Sequence, residues 1–344
     1  MSTFAAILRS LATGLARIAG RIDPSKGWPK RLVFPMIAGQ ALRYGENPHQ
    51  KAALYMNSLD ARAGIASARK MQGKELSYNN INDADAALEC VAEFKGPAAV
   101  IVKHMNPCGV ALGEDIFHAY TKAYQCDPLS AFGGIVALNR TLDRATAEEI
   151  AKIFVEVVIA PSAEGEALTV LAAKPNVRVL LLDCMPEPRA QALVVKSVAG
   201  GFVVSTRDDR VFDGELSHVS KREPAGGELA DMRFAFTVAK HVKSNAIVFA
   251  KDSQTIGIGA GQMSRIYAAK IAAEKAKDAG LSLRGSVMAS DAFMPFPDCV
   301  EEARKHGAVA IIQPGGSLKD QDSIDAANAA GMAMVFTGIR HFRH

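Results

Sequence analysis

Apolar and polar positions follow two rhythms along this chain. Ala84, Ala87, Leu88 and Val91 share one helical face behind Asn82 and Asp83, which predicts a helix over Asn82–Phe94. Ala98–Val102, Ile135–Leu138 and Val177–Leu182 are short unbroken apolar runs, the pattern of strands buried on both faces. Thr146 reads as the cap of a helix running to about Val158, and Glu164–Lys174 as another helix stopped by Pro175. The second half repeats the alternation. Leu229–Ser244, Gln262–Ala279, Asp298–Lys305 and Asp322–Ala329 read as helices, and Ala246–Ala250, Ser286–Ala289, Val309–Ile312 and Met332–Phe336 as strands. Such alternation predicts a layered α/β fold. Leu193–Ser205, with Gly200 and Gly201 inside it, predicts a hairpin joining two halves. The shared rhythm points to an internal duplication, although no residue-level repeat stands out.

This organisation divides the chain into residues 1–36, an N-terminal helix and linker, and two units over 37–200 and 201–344. Residues 1–22 carry Arg9, Arg17 and Arg21 without an acid, and place Phe4, Ile7, Leu8, Leu11 and Leu15 at helical spacing. A transit peptide shares that pattern, but an amphipathic helix packing on a neighbouring domain is the plainer reading. Pro24, Gly27 and Pro29 mark a linker after it.

Composition narrows the classes. The chain has 344 residues, 49% hydrophobic and 22% charged, with a formal charge of +4 from nearly balanced acids and bases. That is ordinary globular usage with no nucleic-acid footprint. No apolar run approaches the ~20 residues a membrane span needs. The five cysteines are dispersed and form no C-x-x-C pair, which argues against a zinc ribbon and for a reducing, cytoplasmic setting.

Four stretches carry candidate chemistry. Val102–Gly109, VKHMNPCG, delivers Lys103 and His104 to the end of a predicted strand, where Pro107 and Gly109 are expected to force a turn. A histidine can act as base beside a cation that stabilises charge. Two solvated loop side chains would look the same. Leu42–Gln50, LRYGENPHQ, offers Arg43 as a bidentate phosphate contact, with a plain surface loop as the alternative. Gly257, Gly259 and Gly261 lead from a strand toward a helix. Their spacing is not that of a dinucleotide site, and close backbone packing explains them as well. Ser290–Cys299 places Phe293, Met294 and Phe296 in a Pro-bounded loop that could wall a pocket or simply join the core.

Taken together, LRYGENPHQ, VKHMNPCG, DPLSAFGG, KSNAIVFAKDSQTIGIGAGQMSR, SDAFMPFPD and the closing RHFRH resemble the transformylase domain of the bifunctional AICAR transformylase/IMP cyclohydrolase family. The similarity runs from about Leu42 to His344. It implies two cytidine-deaminase-like α/β units without zinc, consistent with the missing H-x-E and P-C-x-x-C motifs. It also implies transfer of a formyl group from 10-formyltetrahydrofolate, a co-substrate, to the 5-amine of aminoimidazole-carboxamide ribotide (AICAR).

The resemblance assigns catalysis to Lys103, His104 and Asn245. It places Arg43, Tyr44 and Arg340 at the ribotide phosphate and Asn80, Gly133, Glu156 and Phe293 near the base and ribose. Glu156 departs from members that carry Asp there. Phe132, Ile266, Pro295 and Asp298 would contact the folate, Asp298 at the pterin edge. A homodimer with shared active sites follows from the same likeness, and whether a monovalent cation binds stays open. Residues 1–41 are too few for the cyclohydrolase domain, so ring closure is not expected from this chain alone, which leaves room for a separate cyclohydrolase partner. The competing readings are a ribotide- or folate-binding protein without catalysis and, on the glycine loop alone, a dinucleotide-dependent oxidoreductase.

Overall fold

A computed structural model describes residues 17–18, 24–57 and 62–344. The amphipathic pattern expected over residues 1–22 lies almost wholly outside them. Arg17–Ile18 and Leu32–Val33 form a short parallel pair, and an antiparallel pair follows, β1 (Met36–Leu42) and β2 (Ala52–Asn57), with the LRYGENPHQ turn between them. The first half continues through β3 (Arg69–Gln72), α1 (Tyr78–Ala92), β4 (Ala98–Lys103), β5 (Asn106–Leu112), α2 (Ile116–Cys126), β6 (Gly134–Leu138), α3 (Arg144–Ile150), β7 (Val155–Ala160), α4 (Gly165–Ala172) and β8 (Arg178–Leu181). The hairpin β9 (Leu193–Val198) and β10 (Gly201–Thr206) follows, as its glycine pair predicts. The second half runs β11 (Ser217–His218), α5 (Gly226–Ala239), β12 (Ile247–Lys251), β13 (Gln254–Gly259), α6 (Arg265–Asp278), β14 (Val287–Ser290), α7 (Asp298–Lys305), β15 (Ala310–Gln313), α8 (Asp320–Ala329) and β16 (Ala333–Phe336).

Twelve strands form one mixed sheet in the order β11-β16-β15-β14-β12-β13-β5-β4-β6-β7-β8-β3. Counted outward from the central β13–β5 junction, the two halves have the same order. Their directions also match: β4/β5 and β12/β13 are antiparallel hairpins, β6/β7/β8 and β14/β15/β16 are parallel, and β3 and β11 close each edge antiparallel. The two halves thus share one strand order and one set of directions. Individual positions repeat too. Gly109 on β5 and Gly257 on β13 occupy equivalent places, and a Cβ at either would lie 2.0 Å from Ala123 O or 2.1 Å from Ala272 O. Both strands thus need glycine so that α2 or α6 can close against them. This is the packing explanation of the glycine run.

The core is layered accordingly. One face of the sheet buries Val100, Val102, Val248 and Ala250 against α1 and α5 in a single cluster spanning both halves. The opposite face is split, with α2, α3 and α4 covering the first half and α6, α7 and α8 the second.

Two expectations need correction. Thr146 is not the cap: Asp143 accepts from Thr146 N, α3 ends at Ile150, and residues 155–160 are the buried strand β7. Val155, Val157, Val158 and Ile159 are β-branched and form a run that a strand buried on both faces accommodates. Nor does the chain turn at Pro107 and Gly109. Both lie on β5, and the turn is His104–Met105.

Candidate active site

The turn His104–Met105 is a two-residue hairpin link with φ of 51° and 64°, closed by Lys103 paired to Asn106. Such turns need positive φ at both central residues, which suits Asn or Gly better than His or Met. Asp83, one turn into α1, supplies the compensation by accepting from Met105 N at 2.7 Å. Burial raises the Asp83 carboxyl above its ordinary range, against the Met105 N–H and the charges of His104 and Lys103, which favour the ionised form. Asp83 was not singled out from the sequence, because nothing local couples a helix position to a turn 22 residues on.

Lys103, half-buried at the end of β4, directs Nζ to Phe132 O and Gly133 O, both at 2.9 Å. Gly133 has φ 67°, and a Cβ there would come within 2.9 Å of that ammonium. Its N–H donates to Phe154 O at 2.7 Å, and the Phe132 ring leans on Phe154 with centroids 5.6 Å apart. Because β4 runs antiparallel to β6, the carboxyl end of β4 lies beside the amino ends of β6 and β7. A site here would therefore not follow the rule that ligands sit at the carboxyl ends of parallel strands. Glu156, on β7 and not on a helix, pairs with Arg178 of β8 at 2.6 Å, and Arg178 is otherwise held by Glu75 O at 3.2 Å. Arg178 was not legible in the sequence, since adjacency of parallel strands is a tertiary property.

The second-half residues form their own constellation. Asn245 donates from Nδ2 to Gln262 O at 2.7 Å and accepts at Oδ1 from Arg265 Nη2 at 2.6 Å. Arg265 also lies 3.6 Å from Asp291, a fully buried carboxylate that accepts from Ser244 Oγ and from Ala246 N at 3.1 Å. The C-terminal tail closes on the same place, with His341 N donating to Asp291 O and Ser244 N to Arg343 O, each at 2.9 Å. Arg340 sits within that tail, exposed and stacked 4.5 Å over Phe342. Phe293 and Pro295 are partly buried in the loop after β14, Ile266 packs partly buried in the first turn of α6, and Asp298 opens α7, where its Oδ1 accepts from Cys299 N at 2.8 Å.

Asn106 connects the two constellations. It donates from Nδ2 to His104 O at 3.1 Å and accepts at Oδ1 from Lys243 N at 2.9 Å, which sets the Lys103–His104 turn beside the segment that carries Asn245. The LRYGENPHQ turn attaches elsewhere, at the start of α1, through Asn79 Nδ2 to Glu46 O at 3.1 Å. Arg43 there is exposed and stacks 5.1 Å over Tyr44. Asn80 is buried in a reciprocal cap, each of Asn80 and Ser77 bonding the other's backbone N–H at 3.1 Å. The described contacts thus join Lys103, His104, Phe132 and Gly133 on one side and Asn245 and the C-terminal tail on the other. They keep Arg43 and Arg340 each against its own aromatic neighbour. Among the described residues no group of three or more His, Cys, Asp or Glu is placed to hold a metal ion.

A model of the AICARFT/IMPCHase bienzyme family matches residues 5–275, a span that begins before the LRYGENPHQ motif. Among curated proteins, the bifunctional purine biosynthesis protein PurH of Cereibacter sphaeroides (strain ATCC 17029) is 57% identical over 327 residues, covering 92% of this chain and 62% of its own length. The protein of the same description from Rhodospirillum rubrum is 58% identical over 324 residues, covering 92% of this chain and 61% of its own length. That from Agrobacterium fabrum is 57% identical over 319 residues, covering 90% and 59%. The chain thus spans about three-fifths of the length of the curated relatives it matches. With the family matched across most of the sequence, the chain belongs to the AICARFT/IMPCHase bienzyme family.

Proposed function

We propose that this chain is an AICAR formyltransferase of purine biosynthesis, moving the formyl group of 10-formyltetrahydrofolate to the 5-amine of the ribotide. The observation that carries the reading is the Asn106 bridge, which brings the Lys103–His104 turn against the Asn245 segment within one chain. In the reaction the amine nitrogen attacks the formyl carbon, a C–N bond forms, and the bond to folate N10 breaks. His104 takes the amine proton, and Lys103 stabilises charge or delivers a proton to N10. The 5-amine is conjugated with the neighbouring carboxamide and is a poor nucleophile, so base assistance and charge stabilisation act together. Asn245 has one amide hydrogen beyond the bond to Gln262, and its oxygen bears the Arg265 guanidinium. That contact polarises the amide and makes the remaining N–H a better donor to the formyl oxygen.

Under this reading Arg43, Tyr44 and Arg340 serve the ribotide phosphate, Asn80, Gly133, Glu156 and Phe293 the base and ribose, and Phe132, Ile266, Pro295 and Asp298 the folate. The two halves are cytidine-deaminase-like units, a reading supported by their identical strand order. The enzyme works in the cytoplasm as a homodimer. No described helix is long and apolar enough to cross a membrane. The test is turnover of AICAR with 10-formyltetrahydrofolate, followed by the appearance of tetrahydrofolate with added cyclohydrolase to draw the product forward. Binding of both compounds without turnover would leave a binding protein and refute the reading.

A further inference from the structure

The catalytic turn has a counterpart in the second half. Lys251 ends β12 as Lys103 ends β4, and Asp252–Ser253 form the same positive-φ turn, at 52° and 54°. Asp231 holds it as Asp83 holds the first, accepting from Asp252 N at 2.8 Å and Ser253 N at 2.7 Å. The cleft beside it is also repeated. Gly285, φ 76°, precedes β14 and donates to Gly307 O at 2.8 Å, as Gly133 does to Phe154 O. Lys251 Nζ reaches Arg284 O at 3.4 Å, as Lys103 reaches Phe132 O. Correspondence along the chain then pairs His104 with Asp252, Phe132 with Arg284, Phe154 with Gly307 and Glu156 with Val309.

Those replacements change the chemistry of the cleft. The base, both aromatic walls and the carboxylate are gone. In their place is a cavity of about 540 Å³ lined by Arg284, Arg304, Lys305 and His306. An adjoining cavity of about 530 Å³ shares Lys305 and His306 and adds Lys270 and Lys277 together with the acids Glu274 and Glu302. Glu302, one of the acids lining the pair, is engaged by Lys305 at 3.3 Å and His306 at 3.0 Å. Neither the Arg284 nor the Arg304 guanidinium carries an ion pair among the described residues. A concave surface that carries two guanidinium groups outside any described ion pair favours a multiply charged anion, because forked donors match phosphate and carboxylate oxygens.

We propose that this counterpart cleft is a second ligand site, without catalysis, for a small polyanion bearing phosphate or several carboxylates. The comparison rests on reading the Lys103 cleft as the one that performs the chemistry.

The experiment is calorimetric titration of the full 344-residue chain at low ionic strength, with saturating AICAR present. One arm uses inorganic pyrophosphate and the other tri-γ-glutamate, so that the arms separate a phosphate ligand from an oligocarboxylate. The double variant Arg284→Ser/Arg304→Ser, altered at two exposed positions, is titrated alongside. The expected result is binding of at least one probe near one equivalent per chain, weakened tenfold or more in the variant, with formyl transfer within twofold of the parent. Absence of binding by both probes, or equal binding to parent and variant, overturns the proposal. Loss of binding in the variant of a chain that transfers no formyl group would keep the site and refute the catalytic reading instead.

Discussion

Single side chains decide how this cleft would work. His104 is exposed on a turn held by Asp83, so its ring can be removed with little disturbance of the core. The His104→Ala enzyme is expected to lose about 10²-fold or more in kcat, the scale of a general base, while ribotide affinity changes far less. Near-normal turnover would remove His104 from the mechanism. Arg43 and Arg340 stack on Tyr44 and Phe342, and neither takes part in an ion pair described in the structure. Such guanidinium groups are available to an anion. Replacing either by Leu should raise the KM for AICAR, since each charged hydrogen bond lost costs about 1.5–3 kcal/mol. The KM for folate should stay nearly constant, and parallel rises in both would indicate a folding defect. These residues were legible through their motifs. Arg178, Arg265 and Asp83 were not, because each acts on a partner distant in sequence.

At the scale of elements, the place where the carboxyl ends of α1 and α5 meet is the sensitive one. Glu93, just past α1, meets Lys240 at 2.7 Å and His241 at 3.2 Å, just past α5, and all three side chains are no more than 7% exposed. Burial would raise the Glu93 carboxyl, but the bonds from His241 and Lys240 outweigh it and bring it down to about 2. Burial holds His241 itself below its ordinary value, so at neutral pH Lys240 is the cation that matters. A carboxyl lowered on folding contributes stability fully present above its unfolded value near 4.5 and lost as pH falls toward 2. The size of the shift corresponds to about 3 kcal/mol. Acid unfolding of the parent should therefore steepen between those values. Glu93→Gln should flatten that limb and lower Tm at pH 7, because it strands a buried ammonium at a cost of about 3–5 kcal/mol. An unchanged acid limb would show that the pair does not couple the halves.

Across the whole molecule, the hairpin β9–β10 stands out. Val194, Val195 and Val198 on one strand and Phe202 and Val203 on the other are all exposed, Phe202 by 71%. A two-stranded ribbon apolar on both faces is marginal in water by itself. A second copy of the chain is the occupant that the homodimer proposal supplies. Phe202→Glu with Val203→Glu is expected to shift the sedimentation of the protein from dimer toward monomer, and an unaltered dimer would place the interface elsewhere. At this same scale the division of labour between sequence and tertiary structure becomes plain. Periodicity determined the α/β class and most helices and strands, because burial on one helical face or both strand faces leaves a local imprint, and the Gly200–Gly201 pair marked the hairpin. Its failures were local competitions: Thr146 beside the better cap Asp143, and the valines of β7 placed within a helix. Strand order, the repeat of one half in the other, the Glu156–Arg178 pair and the cationic counterpart of the cleft were decided only by the folded chain. Each depends on which distant strands hydrogen-bond to one another, and that pairing is set by packing across the whole sheet rather than by any short run of residues.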